Sequence, residues 1–194
     1  HTRLQGDWSS DVCSSDLASP APWKLETVRK ALPYYQKTFE ESPSMAFVPW
    51  QSGAMTEAYF LTKDRKFADF VFAMNDWLIQ MQYFEADGVP TPWVGGFGGF
   101  QAGHKVRSTP GAATAGYCEG LVEACRLAKA LGDEKRLEAY ENALRLGFLF
   151  LMGSQYSMTE SPYFERWYSQ KLNGAFYASV EDGNVRIEIG RAHV

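Results

Sequence analysis

Four residues able to move a proton or hold an anion, His104, Arg107, Tyr117 and Glu119, fall within one short stretch, residues 95–132. It opens with four glycines around two phenylalanines and passes through a basic loop holding His104, Lys105 and Arg107. It then becomes a weakly charged helix in which Glu119 and Glu123 stand four apart, on one face of a 3.6-residue period. A helix of Gly, Ala, Thr, Cys and Leu has no obvious water-facing side, so it reads as an inner element packed all round. A carboxylate on such a helix needs a partner or a solvent-filled cavity, because unpaired burial is very costly. Glu119 is therefore the leading catalytic candidate, with His104 and Tyr117 beside it in sequence. The plainer alternative pairs Glu119 with Arg107 or Arg126 and leaves His104 as a hydrogen-bonding loop residue.

The elements that must position these groups are helical. Residues 23–41 carry Leu25, Val28, Leu32, Tyr35 and Phe39 at helical spacing, with Pro33 as a kink or a restart. Residues 42–49 read as a loop that delivers Trp50 and Gln51 to a helix over about 53–61. Residues 64–83 form an amphipathic outer helix striped by Phe67, Phe70, Val71, Met74, Trp77, Leu78 and Met81. Residues 84–110, rich in Gly and Pro, cannot be one long helix. The inner helix spans 112–131 and ends at Gly132, Asp133 caps a further helix to about Met152, and Asp182-Gly183-Asn184 suggests a turn.

Length and composition bound the rest. The 194 residues are 45% hydrophobic and 22% charged, enough for one globular core, and 15% aromatic, which is high. Residues 6–17 and 188–194 resemble translated sequencing-adapter read-through, so 1–17 and 188–194 are set aside as non-native and 18–187 taken as the domain. The native N-terminus then lies outside the sequence, and the compartment, cytoplasmic or secreted, stays open. A net charge of −4 gives no basic face for nucleic acid. No apolar run is long enough to span a membrane. Cys118 and Cys125, seven apart on one helix, stand roughly 10 Å from each other and beyond disulfide reach. No cofactor and no metal set is indicated.

The segments repeat. Glu57-Ala58, then Leu61-Thr62-Lys63 and an Asp64-led helix ending in Gln82-Tyr83, matches Glu123-Ala124, then Leu127-Ala128-Lys129 and an Asp133-led helix ending in Gln155-Tyr156. A glycine-aromatic element follows each, Gly95-Gly96-Phe97 and Gly174-Ala175-Phe176. Helical hairpins separated by long loops are the unit, at an offset of about 70 residues. The equivalent positions of Glu57 and Glu123 point to a recurring structural role.

With this rhythm, the Gly-Gly-Phe-Gly-Gly run (Gly95 to Gly99) and the Gln-then-Gly-aromatic order, the chain resembles the α/α-toroid superfolds. These are the six-hairpin glycosidase-like enzymes and the terpenoid cyclase and protein prenyltransferase toroids. The resemblance implies an all-α fold of helical hairpins, an incomplete toroid of about two and a half hairpins. The chain lacks the cyclases' DxDD acid cluster and the prenyltransferases' Asp/Cys/His zinc set, so the expectation turns to a carbohydrate-active or carbohydrate-binding protein, a hydrolase, uronate lyase or epimerase if an enzyme. Such a protein implies a polysaccharide or oligosaccharide partner, with Glu119, His104 and Tyr117 as catalytic groups. Arg107, Trp50, Gln51, Trp93, Glu57 and Tyr177, with Trp167, would contact sugar. A terpenoid or prenyl-handling toroid and a non-catalytic hairpin scaffold are the alternatives, and the oligomeric state is open.

Overall fold

The computed structural model describes residues 22–157 and 171–185. The two terminal segments set aside above, and Trp167, lie outside them. The chain is mostly helical: α1 (Pro22–Glu41), α2 (Val48–Thr62), α3 (Arg65–Leu78), α4 (Ala113–Leu131) and α5 (Glu134–Gly153). The all-α expectation needs two small antiparallel hairpins added, β1 (Gly99–Gln101) with β2 (His104–Val106), and β3 (Tyr177–Ser179) with β4 (Asp182–Val185). Two compact units result. One takes in residues up to Ile79 and Glu119–Glu141, the other Gln80–Cys118 and the residues from Asn142 onward.

In the first unit α1 is continuous through Pro33. Proline removes one backbone donor, but Pro33 sits on the exposed side, where water can satisfy the freed carbonyl. The second helix begins at Val48, five residues before the expected start, because Pro49 occupies its first turn, where a missing N–H costs nothing. Lys63 in the left-handed region (φ 58°) ends α2, and Asp64 caps α3 by accepting from the Lys66 N–H. The core joins Val48, Met55, Ala58 and Tyr59 of α2 to Phe67, Phe70, Val71, Met74 and Leu78 of α3, with Leu121, Ala124, Leu127 and Ala128 of α4. Buried Asn75 ties the hairpin by donating to Ser52 Oγ (2.8 Å) and to the Val71 carbonyl (2.9 Å). On one flank of α3, Phe70 and Trp77 meet Phe39 of α1 edge to face. On the other, Phe72 and Asp76 meet Arg136 and Tyr140 of α5, through a stacked ring pair and two hydrogen bonds of 2.6 and 3.0 Å.

The second unit contains the same lock twice. After the first hairpin the Tyr83 N–H donates to the Gly96 carbonyl (2.8 Å), and its own carbonyl accepts from Gly95 (2.9 Å). After the second, Tyr156 does the same with Ala175 (2.8 Å) and Gly174 (2.9 Å). Gln82 and Gln155, one residue earlier, donate to the Gly95 and Gly174 carbonyls, and those glycines have φ of 89° and 87°. Each lock leads directly into a β-hairpin. The first turns on Ala102 and Gly103, both at positive φ, the backbone of a type I′ turn. The second turns on Val180 and Glu181, so Asp182-Gly183-Asn184 lies in β4 and does not form the turn expected there. Residues 110–112 run against β3, where the Ala112 N–H donates to the Ala178 carbonyl.

Candidate functional site

Strand β2 sets the geometry of the more accessible cluster. Side chains alternate along a strand, so His104 and Lys105 take opposite sides of β2, and Arg107 follows one residue past its end. The Lys105 ammonium lies 4.8 Å from the Tyr83 ring centre, donates to the Gln82 carbonyl (2.8 Å) and pairs with Asp87 (3.3 Å). The Arg107 guanidinium lies over the Trp93 ring at 5.6 Å, and Trp93 tilts against Tyr83 with ring centres 5.7 Å apart. Two cations thus cover two adjoining aromatic rings. Tyr83 is buried and its hydroxyl is engaged, accepting from the Ser108 N–H (2.9 Å) and donating to the Ser108 carbonyl (3.1 Å). Trp93 is half-buried and Arg107 exposed, so these two face solvent. Asp87 is held below the ordinary carboxylate range by the Phe84 N–H and then by Lys105, while Arg107 has no carboxylate partner among the described residues.

His104 is exposed, with Nδ1 3.1 Å from the Ala102 carbonyl. A carbonyl can only accept, so Nδ1 donates in this contact and Nε2 points away from it. Tyr117 packs edge to face on Phe97 at 5.1 Å, and burial pushes its phenol upward. It therefore keeps its proton at neutral pH and can donate a hydrogen bond, but is a poor base. Tyr177 packs on Tyr156 at 4.2 Å.

The first unit holds the remaining candidates. Glu119 is exposed, on a stripe of α4 shared with Val122 and Arg126. The helix is not packed all round, and the burial penalty that singled out Glu119 does not apply. Small side chains conceal a wet face as readily as a dry one. Trp50 is 57% exposed and leans edge to face on Phe47, and Gln51 is half-buried. Glu57 is tied to Arg126 (2.9 Å), as is Glu123 (2.7 Å), so the two repeat-equivalent carboxylates share one guanidinium nitrogen. Desolvation pushes Glu123 up, Arg126 opposes this, and Glu57 adds repulsion. Asp76 and Asp133 also share one arginine, Arg136, but through different nitrogens, Nε at 3.0 Å and Nη1 at 2.7 Å.

Removing the shared cation has a defined pH signature. Arg126→Ala leaves Glu57 and Glu123 facing each other, which raises the folded-state affinity of the pair for a proton. The destabilisation, about 1 kcal/mol given the exposure of the arginine, is expected at neutral pH. It should shrink as pH falls through the folded-state titration and both carboxylates become neutral. Chemical denaturation at several pH values checks it, and a loss independent of pH would show that Arg126 acts only through packing.

Asp87 is the residue the sequence gives no sign of; Tyr83 shows there only as part of the repeat, Lys105 only as a loop cation, and Arg126 only as a partner for Glu119, where the structure pairs it with Glu57 and Glu123. The closeness of Lys105 and Arg107 was the available signal, silent until a hairpin is known to lie there. Among the described residues no group of three or more His, Cys, Asp or Glu side chains is placed to hold a metal ion, and no helix is long and apolar enough to cross a membrane. No protein-family model matches the chain, and no curated protein or solved structure matches it either.

Proposed function

We propose that the chain is a carbohydrate-recognising helical-hairpin protein of the α/α-toroid kind, with its saccharide face at Trp93 and Arg107. One observation carries the reading: a half-exposed indole capped by a guanidinium that has no carboxylate partner among the described residues. A guanidinium held over an aromatic ring without a carboxylate partner has N–H donors to offer, and these match a carboxylate or a pair of hydroxyls on one sugar. Indole offers the apolar face against which a pyranose ring packs. His104, on the same hairpin, adds an outward ring nitrogen. Recognition is favoured over hydrolysis because glycoside cleavage uses two carboxyl groups, one as acid and one as base or nucleophile. The carboxylate pairs Glu57–Glu123 and Asp76–Asp133 are each tied to one shared arginine.

Titration calorimetry with neutral and uronic-acid oligosaccharides tests this. Binding is expected, with Trp93→Ala weakening it about tenfold, the value of one lost aromatic contact. Binding that survives Trp93→Ala unchanged, or no heat with any saccharide, would overturn it.

A further inference from the structure

The two cations beside the Tyr83 and Trp93 rings are not equally available. Lys105 is half-buried and engaged three times: it donates to the Gln82 carbonyl, lies on the Tyr83 ring and pairs with Asp87 at 3.3 Å. Arg107 is exposed, lies on Trp93 and has no carboxylate partner among the described residues. Asp87 is fixed independently of Lys105. Its Oδ2 accepts from the Phe84 N–H at 2.8 Å and so closes the short 3-10 turn Glu85–Asp87. That N–H first, and Lys105 after it, keep the carboxylate ionised at neutral pH. The loop backbone therefore delivers a negative charge to one of the two cations and leaves the other alone. Both partners are partly buried, with side chains 26% and 37% exposed, so salt screens the pair less than one standing free in water.

We propose, resting on the saccharide reading of Trp93 and Arg107, that Asp87 sets the charge selectivity of this site. By holding Lys105 in an ion pair it leaves Arg107 as the cation the hairpin offers, so the site takes a sugar chain with an isolated carboxylate, a uronic acid among neutral residues, and disfavours densely sulfated chains. A guanidinium meets a planar carboxylate through two parallel N–H bonds, which selects by shape. An ammonium is a point charge without that preference, and an unpaired Lys105 would reward any anion according to its charge density. Asp87 opposes that attraction and repels a second anionic group arriving beside it. Discrimination then has a repulsive element as well as an attractive one.

Titration calorimetry of the full chain with three oligosaccharides of equal length tests it: a neutral one, its counterpart carrying one uronic acid, and a sulfated one. The wild type is expected to bind the uronate about fivefold more tightly than the neutral form, and Arg107→Ala should erase that difference. Asp87→Asn keeps an acceptor for the Phe84 N–H but carries no charge. It should tighten binding of the sulfated form about threefold at low salt, the size of one added charge acting through water, and leave the neutral form unchanged. The gain should vanish in about 0.5 M salt, and in Asp87→Asn/Lys105→Ala. Sulfated binding that Asp87→Asn leaves unchanged, or equal wild-type affinity for the neutral and uronate forms, overturns the role of Asp87 while the saccharide reading stands. No binding of any of the three overturns both. Should Asp87→Asn not fold, the wild type decides: tighter binding of the sulfated form than of the uronate overturns the proposal.

Discussion

Replacing Gly95 with alanine is expected to destabilise the protein severely, by about 4 kcal/mol or more, a fall in melting temperature on the order of 10 °C. Two costs combine. At φ 89° an L-residue is strained, worth about 1–2 kcal/mol by itself. A Cβ there would also collide with the Leu146 carbonyl, its carbon only 2.7 Å away, and with Phe150 Cβ at 3.2 Å. The obstacle is the backbone of α5, which cannot rotate aside as a side chain would. Gly174 is the internal control. It has nearly the same φ (87°), but its nearest neighbour is Gln155 Nε2 at 3.7 Å, an ordinary contact. Gly174→Ala should therefore show only the backbone strain. Thermal melts of the two variants decide the matter, and equal shifts would mean that the approach to α5 contributes nothing.

Gln82→Leu is expected to cost about 2–4 kcal/mol, and Gln155→Leu about 1 kcal/mol or less. Gln82 is fully buried, and its amide nitrogen donates to both the Gly95 and the Ala143 carbonyls at 2.9 Å. Leucine fills similar space but leaves the buried Gly95 carbonyl without its side-chain donor and the Ala143 carbonyl with only its helical bond, and that loss is the larger part of the cost. One offset applies: Gln82 Oε1 has no hydrogen-bond partner among the described residues, so removing it relieves a small existing penalty. Gln155, half-buried, makes the single bond to the Gly174 carbonyl, which water can take over. Guanidinium denaturation separates the two cases. Gln82→Glu sharpens the comparison, since an ionised carboxylate has no donor for either carbonyl. Its cost should grow as pH rises through the titration of the new group, because the folded state then favours the protonated acid. Equal midpoints for Gln82→Leu and Gln155→Leu would remove Gln82 as a tie between the lock and α5.

Much of the helical framework was legible because it depends on local rules. The stripe from Phe67 to Leu78, the Asp64 and Asp133 caps and the Gly132 stop act within a turn or two of helix and lie where the periodicity puts them, although the helix expected to reach residue 83 ends at Leu78 and tightens into a 3-10 turn over Ile79–Met81. Pro49 misled because the same residue ends one element and opens another; only the next turn, Trp50 to Gly53, distinguishes them. The β-hairpins escaped because three-residue strands are too short to show alternation, and Ala102-Gly103 lacks the asparagine that usually marks a type I′ turn. The repeated Gln-Tyr and Gly-aromatic words were visible, whereas the bonds joining them were not. Nothing in residues 93 and 107 says that they meet: they stand fourteen apart, and their contact exists only once the β1–β2 hairpin between them turns the chain back. Glu119 shows the reverse failure, where composition suggested burial and the packing supplied exposure.

The duplicated lock has a kinetic consequence. Tyr83 bonds to Gly95 and Gly96, and Tyr156 to Gly174 and Ala175, so each closure spans a short piece of chain and needs little diffusive search. The Gln82–Ala143 bond instead joins residues 61 apart in sequence. Local closures form early and distant ones late when loop entropy sets the order. Each glycine-aromatic loop can therefore fasten onto its own helix before the two halves of the chain have met, leaving Gln82 to find α5 in the last, slowest step.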